Sequence, residues 1–202
     1  MPRIITDFEQ QTPEWYAAKL GLFTGSDFHT FLGNSQTKED MLWEKLSERR
    51  FDDTDVEQFF NQYTERGKVL EHEARRMYSF IKDIEVKECG LVEATGEFDG
   101  WAACSPDGLV GDEGIIEIKC LVAKFFLQYT SKSSKKYEYI KPEYKTQVQF
   151  NLMVTERKWC DFIYYHPRGG LFVKRIDADP EYQDKIKTAL RGCIKFLEEN
   201  DA

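Results

Sequence analysis

The chain has 202 residues, with 28 Lys and Arg against 36 Asp and Glu, a net charge of −8, 41% apolar residues and 14% aromatic residues. That length suits one domain, or one with a small appendage, and the apolar share excludes wholesale disorder. No run approaches the roughly 18 apolar residues of a membrane span, and the acidic total argues against indiscriminate nucleic-acid binding without excluding a local basic surface.

The opening Met-Pro-Arg-Ile-Ile-Thr-Asp lacks the basic-then-apolar pattern of a secretory signal. Five cysteines, widely spaced and with no C-x-x-C pair, read as buried thiols of a reducing compartment rather than a zinc or iron–sulfur site. His29, His72 and His166 show no metal-ligand spacing. The expectation is a soluble, cytoplasmic protein.

Thr12-Pro13-Glu14 reads as an N-cap, a first-turn proline and a first-turn acid, with Gly21 as the stop, so a short helix covers about 13–20. Thr24-Gly25-Ser26-Asp27 caps a second short helix ending near Gly33. Thr37 caps a third, with Met41, Leu42 and Leu46 on one face. An acidic knot follows (Asp52, Asp53, Asp55, Glu57), and Phe59, Phe60 and Tyr63 lead into a helix of about 65–82. Its apolar stripe is Leu70, Ala74, Met77, Tyr78 and Ile81.

The pattern then changes. Ile84/Val86 and Leu91/Val92 are strand pieces, and Gly96–Gly100 is a turn. Trp101–Val110 reads as one strand bent at Pro106, and Gly111-Asp112-Glu113-Gly114 turns it back as Ile115–Lys119. Helices follow at about 121–130 and 143–155, then strands Trp159–Tyr165 and Leu171–Ile176. Pro180 opens a terminal helix with Tyr182, Ile186, Leu190, Ile194 and Leu197 inward. The order implies an α/β or α+β mixed sheet flanked by helices. From Lys119 to Lys145 there are seven Lys and two acids, with four Tyr among them. That segment is either a solvated loop or a surface facing a polyanion.

The informative segment is Ser105-Pro106-Asp107-Gly108 followed, after the turn, by Glu117-Ile118-Lys119-Cys120. Alternation along a strand puts Glu117 and Lys119 on one face, with Ile116 and Ile118 on the other, in a core. A tight hairpin lets Asp107 lie near Glu117 across the pair. Two carboxylates beside an ammonium suit a hard ion such as Mg²⁺ or Mn²⁺, which needs only one or two carboxylates. Such an ion polarises a phosphoryl group and acidifies its water, and a neighbouring lysine orients or deprotonates that water. The implied reaction is phosphodiester hydrolysis, although a surface hairpin with an exposed Glu/Lys face would look the same. Glu71, beside Leu70 and Ala74, is a candidate third acid or a solvated helix acid. Gln147 and Gln149 are amides on the helix expected to pack behind the strands.

Taken together, these blocks resemble the bacteriophage lambda exonuclease (YqaJ-like viral recombinase) branch of the PD-(D/E)xK nucleases. The matching segments are Trp15–Ser26, Gly67–Glu71 with Ala74-Arg75, Ala103–Leu109, Glu117–Cys120, Gln147-Val148-Gln149 and Tyr165–Arg168, in family order. The resemblance implies a restriction-endonuclease-like core over about 63–202, with an N-terminal helical part over about 1–62 in a single nuclease domain. It implies that Asp107, Glu117 and the Ile118 carbonyl bind Mg²⁺ (Mn²⁺ substituting), that Glu71 serves a second ion or its water, and that Lys119 acts on the water. It assigns Lys19, Ser26, Ser105 and Gln149 to a 5′-phosphate pocket, with Gln149 also counted in the catalytic set. Lys19 stands where the archetype has arginine and lacks its bidentate fork. No clear counterpart of the archetype's apolar wedge is visible.

The activity implied is 5′→3′ degradation of one strand of linear duplex DNA to mononucleotides. The 3′ tails left behind would serve a single-strand annealing protein in phage recombination. The family works as a ring-shaped trimer, whose bore can be basic while its exterior is acidic. Gln147, Lys132, Lys135 and Lys136 are further candidate DNA contacts. Two other readings stand beside this one: a PD-(D/E)xK endonuclease of restriction or repair type, and a non-catalytic DNA-end-binding module.

Overall fold

A computed structural model describes residues 1–33, 35–51 and 62–201. The acidic knot, Phe59 and Phe60 lie outside the described residues, and Tyr63 lies where only the backbone is described. The elements, in chain order, begin with strand β1 (Arg3–Ile5), helix α1 (Pro13–Lys19), strand β2 (Phe23–Thr24), and helices α2 (Phe28–Phe31), α3 (Gln36–Phe51) and α4 (Gln62–Lys82). Strands β3 (Val86–Lys87) and β4 (Leu91–Glu93) lead through a 3₁₀ turn to β5 (Ala102–Cys104), β6 (Gly108–Val110) and β7 (Gly114–Cys120). Helices α5 (Ala123–Thr130) and α6 (Pro142–Thr155), strands β8 (Trp159–His166) and β9 (Gly170–Asp177), and helix α7 (Pro180–Asn200) complete the fold.

Local chemistry explains the helix starts. Thr12 accepts a hydrogen bond from the Trp15 N–H at 3.3 Å, with Pro13 in the first turn. Asp179 does the same for Tyr182 at 3.0 Å, ahead of Pro180. The third helix is capped two residues earlier than the sequence suggests: the Ser35 hydroxyl, not Thr37, accepts from the Lys38 N–H. Gly21 sits at φ +67°, and a β-carbon there would meet the Arg49 side chain at 2.2 Å, so only glycine fits this turn.

The described residues form two mixed sheets. One has the order β1-β4-β5-β2, the other β3-β6-β7-β8-β9. In the second, β6 and β7 form the expected antiparallel hairpin, β7 and β8 run parallel across the α5–α6 crossover, and β8 and β9 are antiparallel. Helix α4 covers one face, where Ala74 and Tyr78 pack on Ile116, Ile118 and Ile163. The other face carries the larger cluster: Ile115, Phe162 and Tyr164 meet Val148, Phe150, Ile186 and Leu190 of α6 and α7. Phe23, Phe28, Phe31, Leu42 and Leu46 from the N-terminal elements join this cluster.

Two expectations are corrected. The segment 101–110 is not one bent strand: Ser105-Pro106-Asp107 is a crossing between β5 in one sheet and β6 in the other, because proline cannot continue a ladder. The α4 stripe is narrower than read, since Met77 and Ile81 are exposed. Of the two readings left open for β7, the structure rules out the exposed hairpin face: Glu117 is 2% exposed and residues 114–118 are buried, with Lys119 and Cys120 partly exposed. Among the described residues no helix is long and apolar enough to cross a membrane.

Candidate active site

Extension of the β6–β7 register beyond Gly108↔Ile116 sets Asp107 opposite Glu117. The Asp107 carboxylate accepts a hydrogen bond from the Ile118 N–H at 2.5 Å. On the α6 side of β7, the Lys119 ammonium donates to Glu117 Oε1 at 2.7 Å and to Gln147 Oε1 at 3.0 Å. It also lies 5.0 Å from the centre of the Tyr144 ring. The other Glu117 oxygen accepts from the Asn151 amide at 3.3 Å. The structure therefore brings Asp107, Glu117 and Lys119 together, with the Ile118 N–H on the Asp107 carboxylate. Glu71 reaches the same region from α4 and is ion-paired to Arg75 at 2.7 Å.

Electrostatics mark this as a crowded acidic site. Burial, then repulsion from Glu117 and Glu71, pushes the Asp107 carboxyl well above the usual carboxylate range, against the Ile118 N–H and Lys119. Burial and the nearby Glu117 and Glu88 raise Glu71, with Arg75 and Lys119 opposing. Burial alone would lower Lys119, but the Glu117 and Asp107 carboxylates outweigh it and hold the ammonium above the ordinary lysine value. Acids that repel one another in a buried site are poised for a cation.

The donor set fits Mg²⁺ or Mn²⁺ in chemistry, being carboxylate oxygens beside a main-chain strand. Among the described residues no three acidic, His or Cys side chains are grouped to hold an ion by themselves. Mg²⁺ asks for less, since water and substrate phosphate complete its shell.

The phosphate-pocket candidates divide. The Lys19 ammonium lies 3.7 Å over the Trp15 ring. The Trp15 indole N–H donates to the Ser105 hydroxyl at 2.8 Å, which in turn donates to the Gly90 carbonyl at 2.9 Å. Ser26 bonds to Thr24 and Asp27, and the adjacent Gly25 packs so closely on α6 that a β-carbon would meet Asn151 at 2.4 Å. Burial lowers Lys19 to about 8, with Lys45 adding to the shift and Asp27, Cys104 and Glu48 opposing it.

Gln149 is not part of this group. It is 1% exposed, its amide N–H donates to the Asp177 carbonyl at 2.9 Å, and its oxygen accepts from the Asp179 N–H at 2.9 Å. Residues two apart on a helix point about 200° apart, so Gln147 and Gln149 cannot both face the site. Gln147 faces it, together with Asn151 one turn on. Gln149 instead anchors the β9–α7 connection. Gln149→Ala is expected to destabilise by about 1–3 kcal/mol through orphaned backbone groups, read as a Tm decrease of several degrees. Gln147→Ala is expected to lower kcat with Tm nearly unchanged. Thermal unfolding and turnover on the two variants check the assignment.

Asn151 and Trp15 join the site without a role read from the sequence: the four-residue step from Gln147 signals the first, and the second is marked only as the start of the Trp15–Ser26 block. Lys132, Lys135 and Lys136 are exposed on the connection between α5 and α6. A groove of about 530 Å³ adjoins Asp107 and Glu71, lined also by Gln10, Lys68 and His72.

Comparison with known proteins agrees with the fold. The family model of the YqaJ-like viral recombinase domain matches residues 14–158. An alkaline exonuclease from Laribacter hongkongensis (LHK-Exo) is 31% identical over 94% of both chains, with a TM-score of 0.81. The structure of LHK-Exo in complex with dAMP gives a TM-score of 0.82. A phage-related exonuclease from Haemophilus somnus 129PT, 17% identical over 88% of this chain and 94% of its own, shares the fold at a TM-score of 0.66. No curated protein sequence matches significantly. The fold is the restriction-endonuclease-like α/β arrangement of these exonucleases, and the chain belongs to the YqaJ-like viral recombinase family.

Proposed function

We propose that the protein is a Mg²⁺-dependent 5′→3′ exonuclease that degrades one strand of linear duplex DNA to mononucleotides and leaves 3′ single-stranded tails. Family membership supports a DNA exonuclease. The observation that carries the reading is the convergence of Asp107, Glu117 and Lys119 on one buried patch, with Lys119 held by Gln147. Asp107, Glu117, the Ile118 carbonyl and Glu71 are the groups that would hold Mg²⁺, or Mn²⁺ in its place. When bound, the ion supplies a polarised phosphoryl group and a more acidic water.

The chain's own residues do the rest. Asn151 fixes one Glu117 oxygen and Lys119 the other. Lys119 enters as a protonated donor that offsets developing negative charge on the phosphate and orients the attacking water. Lys19, Ser26 and Ser105 receive the 5′-phosphate, with Trp15 linking Lys19 to Ser105. Holding the terminal phosphate beside the acids sets cleavage one nucleotide inward.

The protein would act as a ring-shaped trimer in the cytoplasm of a bacterial host. Lys132, Lys135 and Lys136 would face the DNA, and the tails would pass to a single-strand annealing protein. Basic residues lining a bore reconcile DNA binding with the net charge of −8.

Digestion of end-labelled duplex tests the reading. With Mg²⁺, the 5′ label is expected to leave as mononucleotide from linear DNA, faster from 5′-phosphate than from 5′-hydroxyl ends, while circular duplex stays intact. Cutting of circular DNA would favour an endonuclease; binding without hydrolysis would favour an end-binding module.

Lys19 adds a pH signature. Its ammonium loses its proton as pH rises through about 8, so the preference for 5′-phosphate is expected to fade above that pH. Lys19→Ala is expected to weaken the preference and to remove its dependence on pH. Turnover ratios for the two end types, measured from pH 7 to 9.5, check this; a ratio independent of pH would remove Lys19 from the pocket.

A further inference from the structure

We propose that Arg75 is the positioning residue of the acidic cluster: one guanidinium fixes Asp107 and Glu71 relative to each other and so sets the geometry in which they act. The proposal rests on the exonuclease reading of the same site. Arg75 is 9% exposed on α4, and each of its nitrogens has a different partner. Its Nε donates to the main-chain carbonyl of Asp107 at 2.7 Å, one terminal nitrogen to Glu71 at 2.7 Å, and the other to Glu88 at 2.7 Å.

The need for such a clamp follows from the topology. Asp107 lies in the crossing between β5 and β6, where no ladder restrains it. Among the described residues, two side chains bond the main chain of this crossing: Gln10 donates to the Pro106 carbonyl at 3.0 Å and Arg75 to that of Asp107, while Trp15 reaches only the Ser105 hydroxyl. Helix α4 is itself a firm base. Ala74 is fully buried against the sheet, and Tyr78, one turn on from Arg75, donates to the buried Asp161 carboxylate at 2.6 Å. Arg75 therefore carries the fixed position of α4 to a loop that would otherwise be held by less.

Its charge matters as well as its reach. Asp107, Glu117 and Glu71 repel one another, and the guanidinium offsets Glu71 without entering the patch occupied by Lys119. A planar fork can serve a carbonyl and two carboxylates at once, whereas an ammonium on a flexible stem cannot hold that geometry. Reacting groups displaced by about 1 Å lose on the order of 10²-fold in rate.

The test compares Arg75→Lys and Arg75→Met with the unsubstituted protein by three measurements. These are kcat and KM on linear duplex with Mg²⁺, Ca²⁺ binding by calorimetry without DNA, and thermal unfolding. Expected is a kcat loss of about 10²-fold for Arg75→Met and more than about tenfold for Arg75→Lys, with KM for DNA ends within about twofold. Ca²⁺ affinity is expected to be unchanged or tighter in Arg75→Met, since a cation beside Glu71 is gone. Wild-type kcat in Arg75→Lys would overturn the proposal, because charge alone would then suffice. Loss of Ca²⁺ binding together with a collapse of Tm in both variants would also overturn it, as the residue would be merely structural. Absence of hydrolysis by the unsubstituted protein would instead overturn the exonuclease reading.

Discussion

Lys119→Ala is expected to abolish hydrolysis, by about 10³-fold or more in kcat, while binding of duplex ends survives. The structure places the ammonium between Glu117 and Gln147, at 2.7 and 3.0 Å. Both of those partners lie on rigid elements, so the donor is already aimed and does not have to be ordered during the reaction. Lys119 is held protonated by Glu117 and Asp107 despite burial, so its contribution is positive charge and a directed N–H. Arginine at this position would keep the charge but change the shape, and Lys119→Arg is expected to recover little. Single-turnover cleavage and a gel-shift assay with Ca²⁺ in place of Mg²⁺ separate the two effects. Substantial turnover in Lys119→Ala would contradict the role.

Asp107→Asn is expected to remove activity and yet stabilise the metal-free protein. The native carboxyl is disfavoured in its charged form by burial and by Glu117 and Glu71. Its folded pKa is raised, so between the ordinary carboxylate value and that raised value the folded state binds more protons than the unfolded chain. Stability of the metal-free protein therefore falls as pH rises through this window. Asparagine keeps the acceptor for the Ile118 N–H and drops the charge, so the fall disappears. A gain of about 1 kcal/mol would raise Tm by roughly 2–4 °C for a chain of this size. Thermal unfolding with a chelator present, from pH 4 to 8, checks the sign; a lower Tm for the variant across that range would show that the native carboxylate is not under strain.

Whether a feature depends on local or on distant partners decides which parts of this molecule can be read from its sequence. The helices with proline and threonine or aspartate at their starts were legible, because their caps are local: Thr12-Pro13 and Asp179-Pro180 need no distant partner. The Glu117/Lys119 alternation and the glycine turn were legible for the same reason. Strands β1 and β2, two or three residues long, exist only through pairing with β4 and β5 some 80 positions away, and no local pattern announces them. The resemblance assigns Gln149 to the pocket, but helical geometry allows only one of Gln147 and Gln149 to face the strands, and it is Gln147 that meets Lys119. Arg75 lay inside a recognised block but had no visible role, since its meaning depends on a main-chain carbonyl 32 residues along the chain.

Crystals soaked in Mn²⁺ and measured for anomalous scattering test the central claim most directly. The account expects a peak between the Asp107 and Glu117 carboxylates, at the metal–oxygen distances of about 2 Å typical of small hard cations, and its loss in Asp107→Asn. A peak confined to other acidic groups, or none between these two at millimolar Mn²⁺, would contradict it.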